Sequence, residues 1–205
     1  MMRKFVFSIL AAASFAVAGT AVASPQVWNG PSIAFAKAPG TDPTLAENQD
    51  RLTGGVWLTR SSSGGIYNVA PPPAGPGEIF FGISSPAGTA WAFSGLDSNP
   101  SGAAFGASHY GNLHFTDWAG ALGGSGLLLF NILDRPGVLH LTAEDVYIDI
   151  TFTAFGSARS FPSSAGAFAY TRTTASPVPA PAALLLFAPA LTALLGWRRQ
   201  APPGG

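Results

Sequence analysis

The chain contains no cysteine in its 205 residues, only three histidines, and charged side chains at just 10%. Lack of cysteine excludes a disulfide framework, a thiol nucleophile and any cysteine-ligated metal. His109, His114 and His140 show no metal-ligand spacing and read as half-buried polar residues beside strands. No serine sits in a nucleophile-elbow pattern. The glycine-rich run Gly123-Gly124-Ser125-Gly126 is not followed by a Lys-Ser/Thr helix start, so no phosphate cradle is indicated. Between Ser24 and Ala175 there is no long helical periodicity.

What is present is most distinctive at the two ends. Arg3 and Lys4 form a positive n-region, and Phe5 to Val17 an apolar run. Ala21-Val22-Ala23 offers an A-x-A cleavage site before Ser24. Residues 1–23 therefore read as a secretory signal peptide with a signal helix, a substrate of the Sec translocon and signal peptidase. The far end carries Ser176-Pro177-Val178-Pro179-Ala180-Pro181 (a linker and motif over 176–181). An apolar segment over 182–197 and a basic stop, Arg198-Arg199, follow within a tail over 198–205. The apolar segment is close to the roughly 17 to 25 residues of a membrane helix. Its basic end would stay in the cytoplasm by the positive-inside rule. The expectation is an exported domain held transiently at the inner membrane, then placed at the cell surface or outside the cell.

The tail resembles the PEP-CTERM sorting signal of exopolysaccharide-producing Gram-negative bacteria. The matching residues are Val178, Pro179, Ala180, Pro181, the apolar segment, and Arg198 with Arg199. The resemblance implies an exosortase as processing partner and extracellular polysaccharide as surroundings. Ala180 stands where the commonest form of the signal has Glu, and Gln200 to Gly205 extend past the arginines where such proteins usually stop.

Setting both ends aside leaves one domain, residues 24–175. Arg3, Lys4, Arg198 and Arg199 are four of the ten basic side chains, so six remain against ten acidic ones, a net charge of −4. An acidic domain without a basic face argues against nucleic acid as a partner. Plentiful aromatic residues at low net charge exclude disorder.

Short alternating runs punctuated by Gly, Pro and Ser predict an all-β fold, an antiparallel β-sandwich of jelly-roll type. The clearest strand is Asp145 to Phe152, with Val146, Ile148, Ile150 and Phe152 on one face and Tyr147, Asp149 and Thr151 on the other. Val138 to Leu141 should pair with it through a turn at Thr142-Ala143-Glu144. Further strands are expected at Ser32 to Lys37, Gly55 to Arg60, Gly65 to Val69, Glu78 to Ile83, Ala90 to Ser94, Asn112 to Thr116 and Phe168 to Thr173. Leu127 to Leu133, flanked by glycines and Arg135-Pro136-Gly137, favours another strand over a helix. The domain also resembles a recurring β-rich module of secreted bacterial proteins. Matching stretches include Val56-Trp57-Leu58-Thr59-Arg60, Ser85-Pro86-Ala87-Gly88-Thr89-Ala90-Trp91-Ala92 and Phe168-Ala169-Tyr170-Thr171-Arg172-Thr173. That resemblance implies a β-rich extracellular module and no activity.

Three kinds of chemistry remain to be weighed. Asp42, Glu47 and Asp50, with Asn48 and Gln49, make the densest polar stretch and the one candidate for Ca²⁺. The alternative is a solvated loop, or Asp50 and Arg51 tying strands together. A glycosidase wants two carboxyls about 5 to 9.5 Å apart. Asp145 and Asp149 lie on the order of 13 Å apart along a strand, so Glu78 or Asp117 would have to supply the second group. Aromatic faces stack on sugars, and Tyr147, opposite Val146 and Ile148, is the best candidate for an exposed ligand-contacting ring. No set of residues forms a catalytic constellation. The expectation is a structural or adhesive protein of extracellular polysaccharide, with a carbohydrate-binding module as the alternative and a glycan hydrolase third.

Overall fold

A computed structural model describes residues 24–79, 82, 84–96, 98–157 and 162–177. The expected signal peptide over 1–23 and the apolar segment over 182–197 lie outside these residues. Among the described residues no helix is long and apolar enough to cross a membrane.

The described chain is mostly β, built on antiparallel sheets. Nine strands are β1 (Gln26–Trp28), β2 (Ile33–Lys37), β3 (Asp50–Arg51), β4 (Trp57–Arg60), β5 (Ile66–Asn68), β6 (Thr89–Phe93), β7 (Pro136–Leu141), β8 (Val146–Phe155) and β9 (Phe168–Arg172). Two short helices, α1 (Trp118–Ala121) and α2 (Leu128–Asn131), lie between β6 and β7. The larger sheet runs β2-β9-β8-β7-β6, and the smaller runs β3-β4-β5. β6 to β9 thus form a meander of sequence neighbours, which departs from the paired Greek keys of a jelly roll.

β8 organises the larger sheet because its period-two pattern is unbroken over Val146 to Phe152. β7 pairs along one side, from Leu141↔Val146 to Pro136↔Thr151. The other side is shared: β9 covers Ile150 to Phe155, and β1 lies parallel along Val146 to Ile148. A bulge between Phe152 and Ala154 inserts one residue. The extra residue reverses the alternation, so Phe155 returns to the core side and packs there against Trp118 and Phe152. The β7–β8 turn falls where expected, but Asp145 sits in the turn at φ +53°, so the strand starts at Val146. The left-handed region is one that Asp tolerates better than most residues.

One core lies between the sheets. Leu58 and Ile66 of the smaller sheet meet Trp91, Phe93, Leu139, Ile148, Phe152 and Tyr170 of the larger. Trp118, fully buried, fills its centre, with its ring centroid 4.7 Å from Trp91 and 5.2 Å from Phe152. The opposite face of the larger sheet is covered as well. Ala107, Tyr110, Leu113 and Phe115 lie against Val138 and Tyr147 in a second apolar cluster.

Several expected elements differ. Leu127 to Leu133 is not a strand: Leu128–Asn131 is a helical turn, preceded by Gly123 and Gly124 at positive φ. The segment folds back on itself because Asn131 Nδ2 donates to Leu122 O (2.9 Å) and Arg135 Nε to Asn131 O (2.8 Å). Asn112 to Thr116 is the end of a 3-10 turn over Ala107–Asn112 and then an extended stretch with a single bridge, Thr116↔Trp91. Glu78 and Ile79 are not in a strand; residues 80, 81 and 83 of that expected strand lie outside the described ones. Two strands too short to show a period, β1 and β3, were not legible in the pattern.

Candidate functional site

The candidate calcium residues do not converge. Asp42 Oδ1 accepts from its own loop, from Thr44 N and Thr44 Oγ1, both at 2.8 Å. Those two hydrogen bonds, the backbone one foremost, lower the Asp42 pKa. Glu47 is exposed. Asp50 is buried on β3 and fully engaged elsewhere: its Oδ2 accepts from Arg172 Nε (2.6 Å) and Tyr170 OH (2.7 Å), and its Oδ1 from Arg172 Nη2 (2.7 Å). Among the described residues no group of three or more His, Asp or Glu side chains could hold a metal ion.

Four other acidic side chains are structural ligands of nearby groups, whereas Glu144 accepts from Thr53 Oγ1 (2.7 Å) through Oε1 and keeps Oε2 buried without a partner among the described residues. Asp117 caps α1 through Ala119 N and Gly120 N. Asp149 accepts from Ala107 N (2.7 Å), and Glu78 from Asn68 N (2.6 Å) and Ala87 N. Asp145 meets His140 Nε2 at 3.1 Å. His109 and His114 are exposed and belong to no metal-holding group.

Tyr147 is on the predicted face but is not exposed. It is 8% accessible, stacked between Tyr110 (4.2 Å between centroids) and His140 (4.3 Å), with Phe115 at 5.7 Å. Alternation fixes which face a side chain takes; it carries no record of the loop that covers that face. Burial, then the Asp145 hydrogen bond and charge, push the Tyr147 hydroxyl up to about 12. Of the processing residues, Ser24 is described and exposed. Ala21, Ala23, Val178, Pro179, Ala180, Pro181, Arg198 and Arg199 lie outside the described residues.

Three buried basic side chains escape a reading of the strand pattern that looks only for apolar residues. In Phe168-Ala169-Tyr170-Thr171-Arg172, period two puts Arg172 on the core side with Phe168 and Tyr170. It is 7% accessible and bridges the sheets through its bidentate pair with Asp50. Burial alone would lower its pKa, but the Asp50 hydrogen bonds and charge outweigh burial, and the net shift is upward. In Trp57-Leu58-Thr59-Arg60 the same logic puts Arg60 beside Leu58. It is 3% accessible and has no ion pair among the described residues. Its Nε donates to Gly64 O and its Nη1 to Ala167 O, both at 2.9 Å, and its carbon centre lies 3.7 Å from the Phe155 ring centroid. Burial lowers its pKa to about 10. Lys37, also 3% accessible, lies close enough for burial and then the Arg60 charge to lower its pKa, with Asp42 opposing.

Arg60 forms part of the wall of a cavity of about 280 Å³ with Gly65, Trp118, Leu128, Leu129 and Phe155. Trp118 Nε1 is buried without a hydrogen-bond partner. It faces Gly65, where a Cβ would fall 3.8 Å from the indole nitrogen. The cavity wall therefore mixes apolar side chains with Ser63, Ser125 and Ser157 and with the Arg60 side chain. Comparison with family models, with curated proteins and with solved structures finds no match to this chain, and its chemistry rests on these residues.

Proposed function

We propose that this chain is an exported β-sandwich module, processed at both ends and retained at the cell surface or in extracellular polysaccharide, where its role is structural or adhesive rather than catalytic. One observation carries the reading. The two ends of the described fold meet at one place, beside the residues read as processing signals. Gly30 N donates to Thr174 O (2.9 Å), Thr174 Oγ1 to Pro31 O (2.8 Å), and Ser176 Oγ to Asn29 Oδ1. β1 starts at Gln26, just after the Ala23–Ser24 junction, and the last described contacts stop short of Val178-Pro179-Ala180-Pro181. Signal peptidase and exosortase would then cut on either side of the domain without removing a core residue.

A single core shared by a six-stranded and a three-stranded sheet supports the sandwich. The engaged state of Asp50, Glu78, Asp117, Asp145 and Asp149 supports a non-catalytic role, since a general acid or base needs a carboxyl aimed at a substrate. The test is deletion of residues 177–205 in a host with an exosortase. The expected outcome is loss of surface retention with the domain still folded. Unchanged retention, measured by cell fractionation, would sink the sorting reading.

A further inference from the structure

A strand at the edge of a sheet presents a row of backbone donors and acceptors, and proteins usually cover, shorten or charge such edges. Most edges here are managed in that way. β6 is capped by Thr116, which exchanges both backbone hydrogen bonds with Trp91 at 2.9 Å. β5 is flanked by Glu78, whose N donates to Asn68 O (3.0 Å), and by Gly82, whose O accepts from Gly65 N (2.6 Å). β3 has only two residues. β2 is different: it closes the larger sheet with five residues, Ile33–Lys37, and among the described residues it pairs with β9 alone. That pairing fixes which of its groups are free. Thr173 N donates to Asp149 O on β8, while Thr174 O accepts from Gly30 N on the opposite side. Odd residues of β9 therefore bond to β8 and even ones to β2. Arg172, Tyr170 and Phe168 lie opposite Ile33, Phe35 and Lys37, so Ala34 and Ala36 turn their N–H and C=O groups outward. Both are exposed, and among the described residues no backbone hydrogen bond from beyond β9 reaches them. The 3-10 turn over Ala46–Asn48 comes near β2 without covering them.

We propose that β2 docks against β2 of a second copy of this chain, antiparallel about a two-fold axis at Phe35, so that the larger sheet continues through a dimer. The segment reads alike in both directions from Phe35: Ala34 and Ala36 flank it, and Pro31 and Pro39 stand four residues to either side. In that register Ala34 faces the partner's Ala36, and each such pair exchanges two backbone hydrogen bonds. Both prolines fall at odd positions, where no N–H is needed at the outer edge. Phe35 meets the partner's Phe35 at a close, non-hydrogen-bonded position. It lengthens the aromatic row that Phe35 forms with Phe168 and Tyr170, at 5.5 and 5.6 Å between centroids. Ile33, 43% accessible, gains cover in the same step. Charge favours this edge too. Between Pro31 and Pro39 the one charged residue is Lys37, itself buried, whereas other faces of an acidic domain repel their copies. The assignment goes beyond the sorting reading and uses no residue read as a processing signal.

The test is sedimentation equilibrium of the full-length chain in nonionic detergent matched to the solvent density, where a concentration-dependent dimer is expected. Ala36→Pro removes an outward N–H that β9 does not use, a change that edge strands tolerate. It should weaken the dimer by about tenfold or more with the circular dichroism spectrum preserved. The chain has no cysteine, so introduced thiols report the register. On oxidation, a mixture of Ala34→Cys and Ala36→Cys proteins should crosslink about fivefold or more faster than either protein alone. Opposed Cα atoms lie about 5.5 Å apart in this register, but like residues about 7 to 8 Å, beyond the usual reach of a disulfide. Thr142→Cys, exposed on the β7–β8 turn, measures chance collision in the micelle. Should Ala36→Pro not fold, the cysteine pair decides alone. A monomeric chain, or a dimer that folded Ala36→Pro protein retains at full strength through its apolar tail, would overturn the proposal. So would a mixture that crosslinks no faster than its separate components or than Thr142→Cys.

Discussion

Asp50, Arg172 and Tyr170 show how a sparse set of charges is used inside an apolar core. Their contacts join β3 of one sheet to β9 of the other, at 2.6 to 2.7 Å. Removing one partner of such a pair strands the other charge, at a cost of about 3 to 5 kcal/mol. Asp50→Ala should therefore lower the urea midpoint by that equivalent, whereas joint replacement of Asp50 and Arg172 by leucine and methionine should recover most of the loss. Equal losses in the two proteins would contradict the ion-pair account. Tyr147 gives a prediction with a pH signature. Its hydroxyl pKa is raised from 10.0 to about 12 in the fold, so the folded state favours the neutral form. The contribution is intact below pH 10 and is lost as pH rises from 10 through about 12, because the unfolded chain ionises first. Tyr67 and Tyr170 are raised by burial too, so Tyr147→Phe should reduce the alkaline slope of stability without abolishing it. Denaturant midpoints measured between pH 9 and 12 would check this.

At the scale of elements, the β6–β7–β8 meander depends on one missing side chain. Gly137 lies opposite Phe93 on β6, and a Cβ there would fall 2.7 Å from the Phe93 ring, which is itself fully buried. Gly137→Ala should cost about 1 to 3 kcal/mol through overpacking, seen as a lower thermal midpoint, although alanine is the better residue for an extended backbone. This part of the sheet was legible in the sequence because Val146 to Phe152 alternates cleanly and the apolar stretch Val138 to Leu141 precedes it across a short turn. The stretch from Asn112 to Leu133 was not. Its two helical turns have four residues each, too short to show a 3.6-residue period. The Asp117 cap and the Asn131 and Arg135 contacts hold them, and no periodic pattern announces such contacts.

For the molecule as a whole, the described contacts close the fold at Thr174 and Ser176. A chain ending after Pro177 should keep its unfolding midpoint to within about 0.5 kcal/mol. One ending after Tyr170 should lose at least the Arg172 contribution, about 3 kcal/mol, and the pairing of Thr173 N with Asp149 O (3.0 Å). Equilibrium denaturation of the two truncated proteins separates these outcomes. If the first is as damaged as the second, the residues after Pro177 contribute to the fold.

By itself the sequence determined the β-rich class, the faces of β8, and the position of the main hairpin. These follow from local alternation and turn chemistry, which neighbouring residues encode. The expectation of processing signals at both termini also comes from the sequence, since such signals are read as linear chemistry. The tertiary structure alone decided that Tyr147 is covered, that Asp50 belongs to Arg172 rather than to a cation, and that Arg60 and Trp118 meet at one cavity. Each of these depends on segments far apart in the chain: residues 50 and 172 and residues 110 and 147 in contact, and residues 60 and 118 at one cavity wall. A period of two tells which way a side chain points; what it meets there is set by the packing of the opposing layer.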